Sequence, residues 1–216
     1  MASPLASYPS LLRYGSKIGG AYKSTGAISI TPTNAITSDG STNSILGSIR
    51  WTNTDYAVIV QSFGFQILTT TGFGTAAPTG LVAYKVTNYT ANDTGGTDAT
   101  ASFGCPTVTG MPATRVQSVR VCYGATAAMT AGTRTLGNPV YATGAWCTTS
   151  PGSLQSGTIY QFKWDEDEPI ILLANEGFEY QLPYGYTLPA SKNLAVNLIT
   201  SWVEVPREII FERYGI

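Results

Sequence analysis

The apolar residues of this chain come in short runs of β-branched and aromatic side chains, with turn-forming residues about every 8–12 positions. No segment keeps the 3.6-residue apolar period of an amphipathic helix. Residues 115–123 alternate most clearly, which predicts Val119, Val121 and Tyr123 on one face of a strand. These patterns predict an all-β fold, either a sandwich or a barrel. The candidate strands are residues 27–31, 46–51, 56–63, 81–89, 115–123, 158–164, 169–173, 178–182 and 193–205.

Glycine, proline and asparagine predict where these strands end. Residues 93–96 (Asp-Thr-Gly-Gly) form the strongest turn signal, because glycine adopts positive φ without steric cost. Residues 77–80 are expected to interrupt the sheet, and residues 176–177 to turn the chain into the next strand. Residues 125–136 are compatible with a short helical turn or with a loop.

The chain of 216 residues predicts one domain with terminal extensions. We place the β domain at residues 45–205. Residues 1–44 are rich in Gly, Ser, Thr and Asn and are interpreted as an extended N-terminal arm, with one strand at 27–31. Residues 206–216 are interpreted as a C-terminal extension. Arms of this kind are usually stable only when they lie on another surface.

The chain contains no histidine, and its formal net charge is −1. Histidine is the usual general base and the commonest metal ligand, so its absence disfavours most acid–base and zinc enzymes. No cluster of Lys and Arg provides the phosphate contacts of a nucleic-acid-binding protein. No run of about 18 apolar residues predicts a membrane span. We therefore expect no catalytic residues, no cofactor and no metal, and neither a nucleic acid nor a membrane as partner.

Two acidic groups are candidate chemical sites. The run at residues 165–168 could bind Ca²⁺, but a linear run rarely supplies the six or more oxygens required, so a solvated loop is favoured. Glu176 and Glu179 could form a glycosidase pair, but residues three apart on a strand face opposite sides. The cysteines, Cys105, Cys122 and Cys147, are expected to be buried thiols; a disulfide from Cys122 to either of the others stays open.

Aromatic residues indicate two kinds of contact surface. Tyrosines near the predicted loop at 182–189 are candidates for stacking on a host saccharide: Tyr180, Tyr184 and Tyr186. Both termini mix Arg with aromatic residues, a mixture enriched at protein interfaces. The candidate interface residues are Arg13, Tyr14, Tyr22, Arg207, Phe211, Arg213 and Tyr214.

Three segments carry a resemblance to a known family. They are residues 81–97 (LVAYKVTNYTANDTGGT), 127–136 (AAMTAGTRTL) and 169–178 (PIILLANEGF), followed by Trp202-Val203-Glu204 in the closing strand. In this order they resemble a family of tailed-bacteriophage virion proteins. The resemblance covers residues 46–205, and its motifs are structural rather than chemical.

The resemblance implies an antiparallel β-sandwich of jelly-roll type and a role as a capsid decoration, or cement, protein. Such a protein would be a homotrimer on the capsid exterior of the virion, bound to the phage major capsid protein and made in the host bacterial cytoplasm. Two alternatives remain: a receptor-binding or adhesive virion protein that recognises host saccharide, and a structural component of the tail or neck.

Overall fold

The computed structural model describes residues 20–31, 36–37, 45–69, 77–99, 105–106, 113–125, 128–147, 153–161, 168–182 and 187–216. Within these ranges the chain is built of strands and one C-terminal helix, α1 (Arg207–Tyr214). The strands are β1 (Gly20–Ile30), β2 (Ile36–Thr37), β3 (Ile45–Trp51), β4 (Tyr56–Thr69), β5 (Ala77–Thr87), β6 (Thr97–Asp98), β7 (Cys105–Pro106), β8 (Ser118–Val121), β9 (Tyr123–Ala125), β10 (Thr135–Cys147), β11 (Ser153–Gln161), β12 (Ile170–Leu172), β13 (Glu176–Gln181), β14 (Thr187–Leu188) and β15 (Leu194–Pro206).

The strands form two large sheets and one small one. The seven-stranded sheet has the order β11-β4-β15-β1-β7, with β12 also beside β4 and β9 also beside β1. The six-stranded sheet has the order β10-β5-β13-β3-β8-β6, and β14 pairs with β2. The pairings are antiparallel apart from β1 with β9, which is parallel. The predicted all-β class with antiparallel sheets is confirmed.

The two large sheets pack face to face around an apolar core. Phe63 of β4 meets Phe178 of β13 edge to face, with ring centroids 5.0 Å apart. The Tyr180 hydroxyl of β13 and the Thr200 hydroxyl of β15 lie 2.9 Å apart and hydrogen-bond across the same interface. Edge-to-face aromatic contacts add to the free energy gained from burying the rings. The core therefore joins strands that are far apart in the sequence.

The C-terminal residues form a helix that packs on the domain, rather than the extended arm expected from the sequence. Ile209 and Ile210 of α1 are buried in a second apolar cluster with Val203 and Val205 of β15. Side chains alternate along a strand, so Val203 and Val205 lie on the outer face of the seven-stranded sheet, opposite Trp202 in the main core. The helix thus covers part of that outer face. Among the described residues, no helix is long and apolar enough to cross a membrane.

The described part of the N-terminal region also belongs to the domain. β1 pairs with β15 over its whole length, from Gly20 opposite Glu204 to Ile30 opposite Leu194. The predicted boundary at residue 45 therefore leaves out a strand of the seven-stranded sheet. Its partner lies about 170 positions away, so local patterns in the sequence could not reveal the pairing. Residues 1–19 of the predicted arm lie outside the described residues.

Several local predictions were wrong where a distant strand decides the structure. Residues 77–80 were expected to interrupt the sheet, but they begin β5 and pair with the end of β10, a strand that the sequence patterns missed. Residues 176–177 begin β13, and the turn before them uses Asn175 at a φ of 63°. Tyr123 is 59% exposed instead of sharing the buried face of Val119 and Val121. The chain leaves the six-stranded sheet after β8 and enters the other sheet at β9, which breaks the alternation.

Candidate functional surface

The three segments that carry the family resemblance contact one another. The backbone N–H of Tyr89 donates to the carbonyl of Asn175 at 2.8 Å, which joins the first segment to the third. The Asp93 carboxylate accepts the backbone N–H of Gly132 at 2.7 Å, which joins the first segment to the second. Asp93 is buried, and the turn after it uses Gly95 and Gly96 at positive φ. The motif residues thus form one connected cluster.

The cluster contains an ion pair whose carboxylate is fully buried. Arg134, from the second segment, makes a two-point contact with Glu179 of β13, and its Nη2 lies 3.0 Å from Oε2. Glu179 is fully buried and also accepts the amide of Gln181 at 2.8 Å. The hydrogen bond to Glu179 raises the pKa of Arg134. A charged hydrogen bond with this fork geometry is strong, and it holds residues 128–134 against the outer face of the six-stranded sheet.

The tyrosine of the first segment lies inside the cluster. The Tyr89 hydroxyl donates to Asp93 at 2.6 Å, and Arg50 of β3 donates to the Tyr89 carbonyl at 2.6 Å. Arg50 also donates to the Thr90 carbonyl and to the Asn92 side chain. Burial, and then the neighbouring Asp93 charge, raise the pKa of Tyr89. These polar groups bond to one another and to Arg50, so they hold the first segment to β3 of the six-stranded sheet.

The two glutamates weighed as a catalytic pair have separate structural partners. Glu176 forms an ion pair with Lys85 at 3.0 Å and accepts the backbone N–H of Leu173. Glu179 lies on the other side of β13, in the ion pair with Arg134. The part of the chain that the structure describes holds no group of three side chains suited to bind a metal ion. Residues 165–167 of the acidic run lie outside the described ranges, and Glu168 is exposed.

Another ion pair involves a fully buried glutamate of β15. Arg115 donates to the fully buried Glu204 of β15 at 2.8 Å, and its guanidinium lies 4.0 Å from the centre of the Tyr56 ring. Thr114 and the backbone N–H of Arg115 also donate to Glu204. This contact was not anticipated from the sequence, because the two ion-pair partners are 89 positions apart.

Cys122 is fully buried, as predicted for the thiols. Its Sγ donates to the carbonyl of Ile45 at 3.5 Å, and burial raises the pKa of the thiol to about 11. A protonated thiol of this kind is a poor nucleophile. The side chains of Cys105 and Cys147 lie outside the described residues.

The predicted saccharide contact at Tyr180 is wrong. The side chain is 3% exposed, and its hydroxyl is engaged by Thr200 between the two sheets. Burial raises the pKa of Tyr180. The residue lies on β13, within the predicted strand at 178–182, and its ring faces the core instead of the neighbouring loop. Tyr184 and Tyr186 lie outside the described residues.

The predicted interface residues fall at several places. Arg13 and Tyr14 lie outside the described ranges, and for Tyr22 the structure describes only the backbone, opposite Trp202. Arg207 and Phe211 are exposed on α1, while Tyr214 is half-buried against the smaller apolar cluster. The side chain of Arg213 is not among those described. Of the seven, Arg207 and Phe211 are therefore the ones placed on a described surface.

The exposed side of α1 is the most distinctive surface of the described chain. Large apolar side chains are exposed at four described positions: Tyr123 (59%), Tyr141 (41%), Phe211 (66%) and Ile216 (50%). Arg207 and Glu208 lie one helical turn before Phe211 on the same side of α1, and Glu212 directly follows Phe211. We call these four residues, Arg207, Glu208, Phe211 and Glu212, the Phe211 face. Aromatic residues, Phe among them, are enriched at protein interfaces, whose rim is polar.

No protein-family model matches the chain, and no curated protein matches it.

Proposed function

We propose that this protein is a non-enzymatic capsid decoration protein of a tailed bacteriophage, with a jelly-roll sandwich as its core. The observation that carries the proposal is the nested order of strand pairing. The first long strand pairs with the last, the second with the next to last, and so on inward. The pairs are β1 with β15, β3 with β13, β4 with β11, and β5 with β10.

This order is the one expected of a jelly roll. The eight long strands alternate between sheets in pairs, so that β1, β4, β11 and β15 share one sheet and β3, β5, β10 and β13 share the other. Double-sheet jelly rolls of eight strands occur in viral capsid and lectin domains. The fold therefore agrees with the virion role that the sequence resemblance implies.

The motif cluster supports the same proposal. Its residues were singled out by resemblance, and in this chain Asp93, Arg134 and Glu179 hold separate segments to one sheet. Motif residues that make structural contacts of this kind indicate a fold shared with the family that the chain resembles, rather than a shared reaction. Buried charges engaged in fixed ion pairs suit a protein that works through contact.

In this role each copy binds the outside of the head and spans neighbouring major capsid subunits, as a homotrimer. Binding to the assembled shell alone stabilises that state by mass action. Symmetry multiplies the effect, because many copies each add a contact. An adhesive protein of the same fold would instead bind saccharide, and a tail component would form rings of another symmetry.

The test is co-sedimentation of the purified protein with heads of its own phage that lack decoration, over increasing protein concentration. We expect saturable binding at a fixed ratio to the major capsid protein, and greater resistance of the decorated heads to heat. Heads that bind no protein at any concentration would overturn the proposal and favour the adhesive or tail alternatives.

A further inference from the structure

We propose that the Phe211 face is the docking anchor, and that its occupant is an apolar cleft with a basic rim on the major capsid protein. This inference rests on the proposed function and names the contact through which it acts. Two features of the described residues carry it: the exposure of Phe211 on a fixed helix, and the charge around it.

Phe211 is presented outward by a helix that cannot rotate to hide it. Ile209 and Ile210 are 3% and 1% exposed, so they hold the opposite side of α1 against the sheet. The Arg207 N–H donates to the Asp55 carbonyl at 2.9 Å at the start of the helix, and the Gly215 N–H donates to the Phe211 carbonyl at 2.9 Å at its end. A pre-organised aromatic loses little conformational entropy when a partner covers it.

The surroundings of Phe211 are mainly acidic. Glu208 and Glu212 are exposed one helical turn apart, and exposed Asp55 lies beside the first turn. Among the described residues neither glutamate takes part in an ion pair. Like charges at this spacing destabilise a helix slightly. Arg207 offsets one of the three negative charges, so the surface complements a partner with Lys or Arg around an apolar cleft.

Other exposed aromatics offer weaker surfaces. Tyr141 lies on β10, an edge strand whose register is interrupted around Pro139. Proline and bulges on an edge strand discourage the addition of another strand. Tyr123 lies on the three-residue β9. Unlike α1, neither β10 nor β9 has its opposite side packed in a separate apolar cluster of described residues.

The test measures the affinity of variants for undecorated heads by the co-sedimentation assay. We expect Phe211→Ala to weaken binding about thirtyfold, as for a central aromatic anchor. Tyr123→Ala, which removes an aromatic of similar exposure, is the matched control and should bind within about threefold of the unaltered protein. The double variant Glu208→Lys/Glu212→Lys should also bind more weakly, and most clearly at low salt.

Each outcome has a distinct meaning. If the unaltered protein binds and Phe211→Ala binds equally well, the docking inference is wrong while the decoration role stands. Equal losses in the Phe211 and Tyr123 variants would also overturn it. Tighter binding of the double lysine variant would refute a basic partner. If the unaltered protein does not bind heads, the proposed function fails, and this docking site with it. Unchanged thermal unfolding of Phe211→Ala would show that the variant is folded.

Discussion

Replacing Arg134 by Met should be among the most damaging single changes to the stability of this fold. The substitution leaves Glu179, which is fully buried, without its cation. Removing one partner of a buried ion pair costs about 3–5 kcal/mol, because the remaining charge is stranded away from water. For a domain whose net stability is about 5–15 kcal/mol, this is a large fraction.

The matched control is Lys85→Met, which breaks the other ion pair that reaches β13. Lys85 is 32% exposed and Glu176 16% exposed, so water can solvate the charge that remains. Pairs of this kind contribute up to about 1 kcal/mol. Arg134→Met should therefore cost several times more than Lys85→Met, although both pairs join β13 to a neighbouring segment.

A double variant separates the stranded charge from the loss of the contact. Changing Arg134 and Glu179 together to Met removes both charges and restores most of the stability, since apolar replacements of buried pairs are often neutral. About 1 kcal/mol should still be missing, because the Gln181 amide loses the acceptor that it has at 2.8 Å.

The assay is urea unfolding followed by tryptophan fluorescence at pH 7. With a slope of about 2–3 kcal/mol/M, the Arg134→Met midpoint should fall by roughly 1–2.5 M. This prediction would be refuted if Arg134→Met lost no more stability than Lys85→Met. It would also be refuted if the double variant were as unstable as Arg134→Met, because the loss would then not come from an unpaired buried charge.

Three further predictions concern the core, the strand contacts and pH. Phe178→Ala, at a ring 1% exposed and packed on Phe63, should cost about 3–5 kcal/mol in urea unfolding; a cost below about 1 would contradict the packing. Gly177→Ala places a Cβ 2.1 Å from a backbone oxygen, so it should lower the free energy of unfolding far more than Gly215→Ala. At Gly215 the left-handed φ is strained for alanine, but no atom lies within 4 Å of the added Cβ. Similar losses in the two variants would contradict the close approach at Gly177. The folded state holds the Cys122 proton up to a pKa of about 11, against 9.0 when exposed. The free energy of unfolding should therefore be constant below about pH 9 as far as this thiol is concerned, and fall by up to roughly 3 kcal/mol as the pH rises towards 11. The fall should be smaller in Cys122→Ala, which lacks the thiol. Identical pH profiles of the two proteins would contradict a buried thiol.

Much of the strand content could be predicted from the sequence. β3, β12 and β15 lie close to their predicted bounds, because each is a run of β-branched and aromatic residues bounded by turn residues. The turn at 93–96 was also predicted, since Gly95 and Gly96 supply the positive φ that it needs. β10 was missed because its sequence, with Gly, Asn and Pro, has weak strand propensity, and it becomes a strand by pairing with β5.

The candidate surface was predicted only in part. Phe211 and Arg207 were selected as an Arg–aromatic mixture, and both are exposed. Tyr180 was proposed as a saccharide contact because it lies near the predicted loop at 182–189, but its side chain is buried. The Pro and Gly residues of that loop do not show which face of β13 the ring occupies. The Arg134–Glu179 pair carried no local signal, since its residues are 45 positions apart and each is unremarkable alone.

The amino-acid sequence by itself determined that most of the described residues form strands rather than helices, because that choice depends on neighbouring residues: side-chain shape, alternation and turn-forming glycines. Only the tertiary structure decided which strands pair, which carboxylates are buried, and that residues 207–214 form a helix lying on the sheet. Those outcomes depend on surfaces that meet across tens to hundreds of positions. The burial of Ile209 and Ile210, for example, becomes favourable only once β4 and β15 present an apolar outer face.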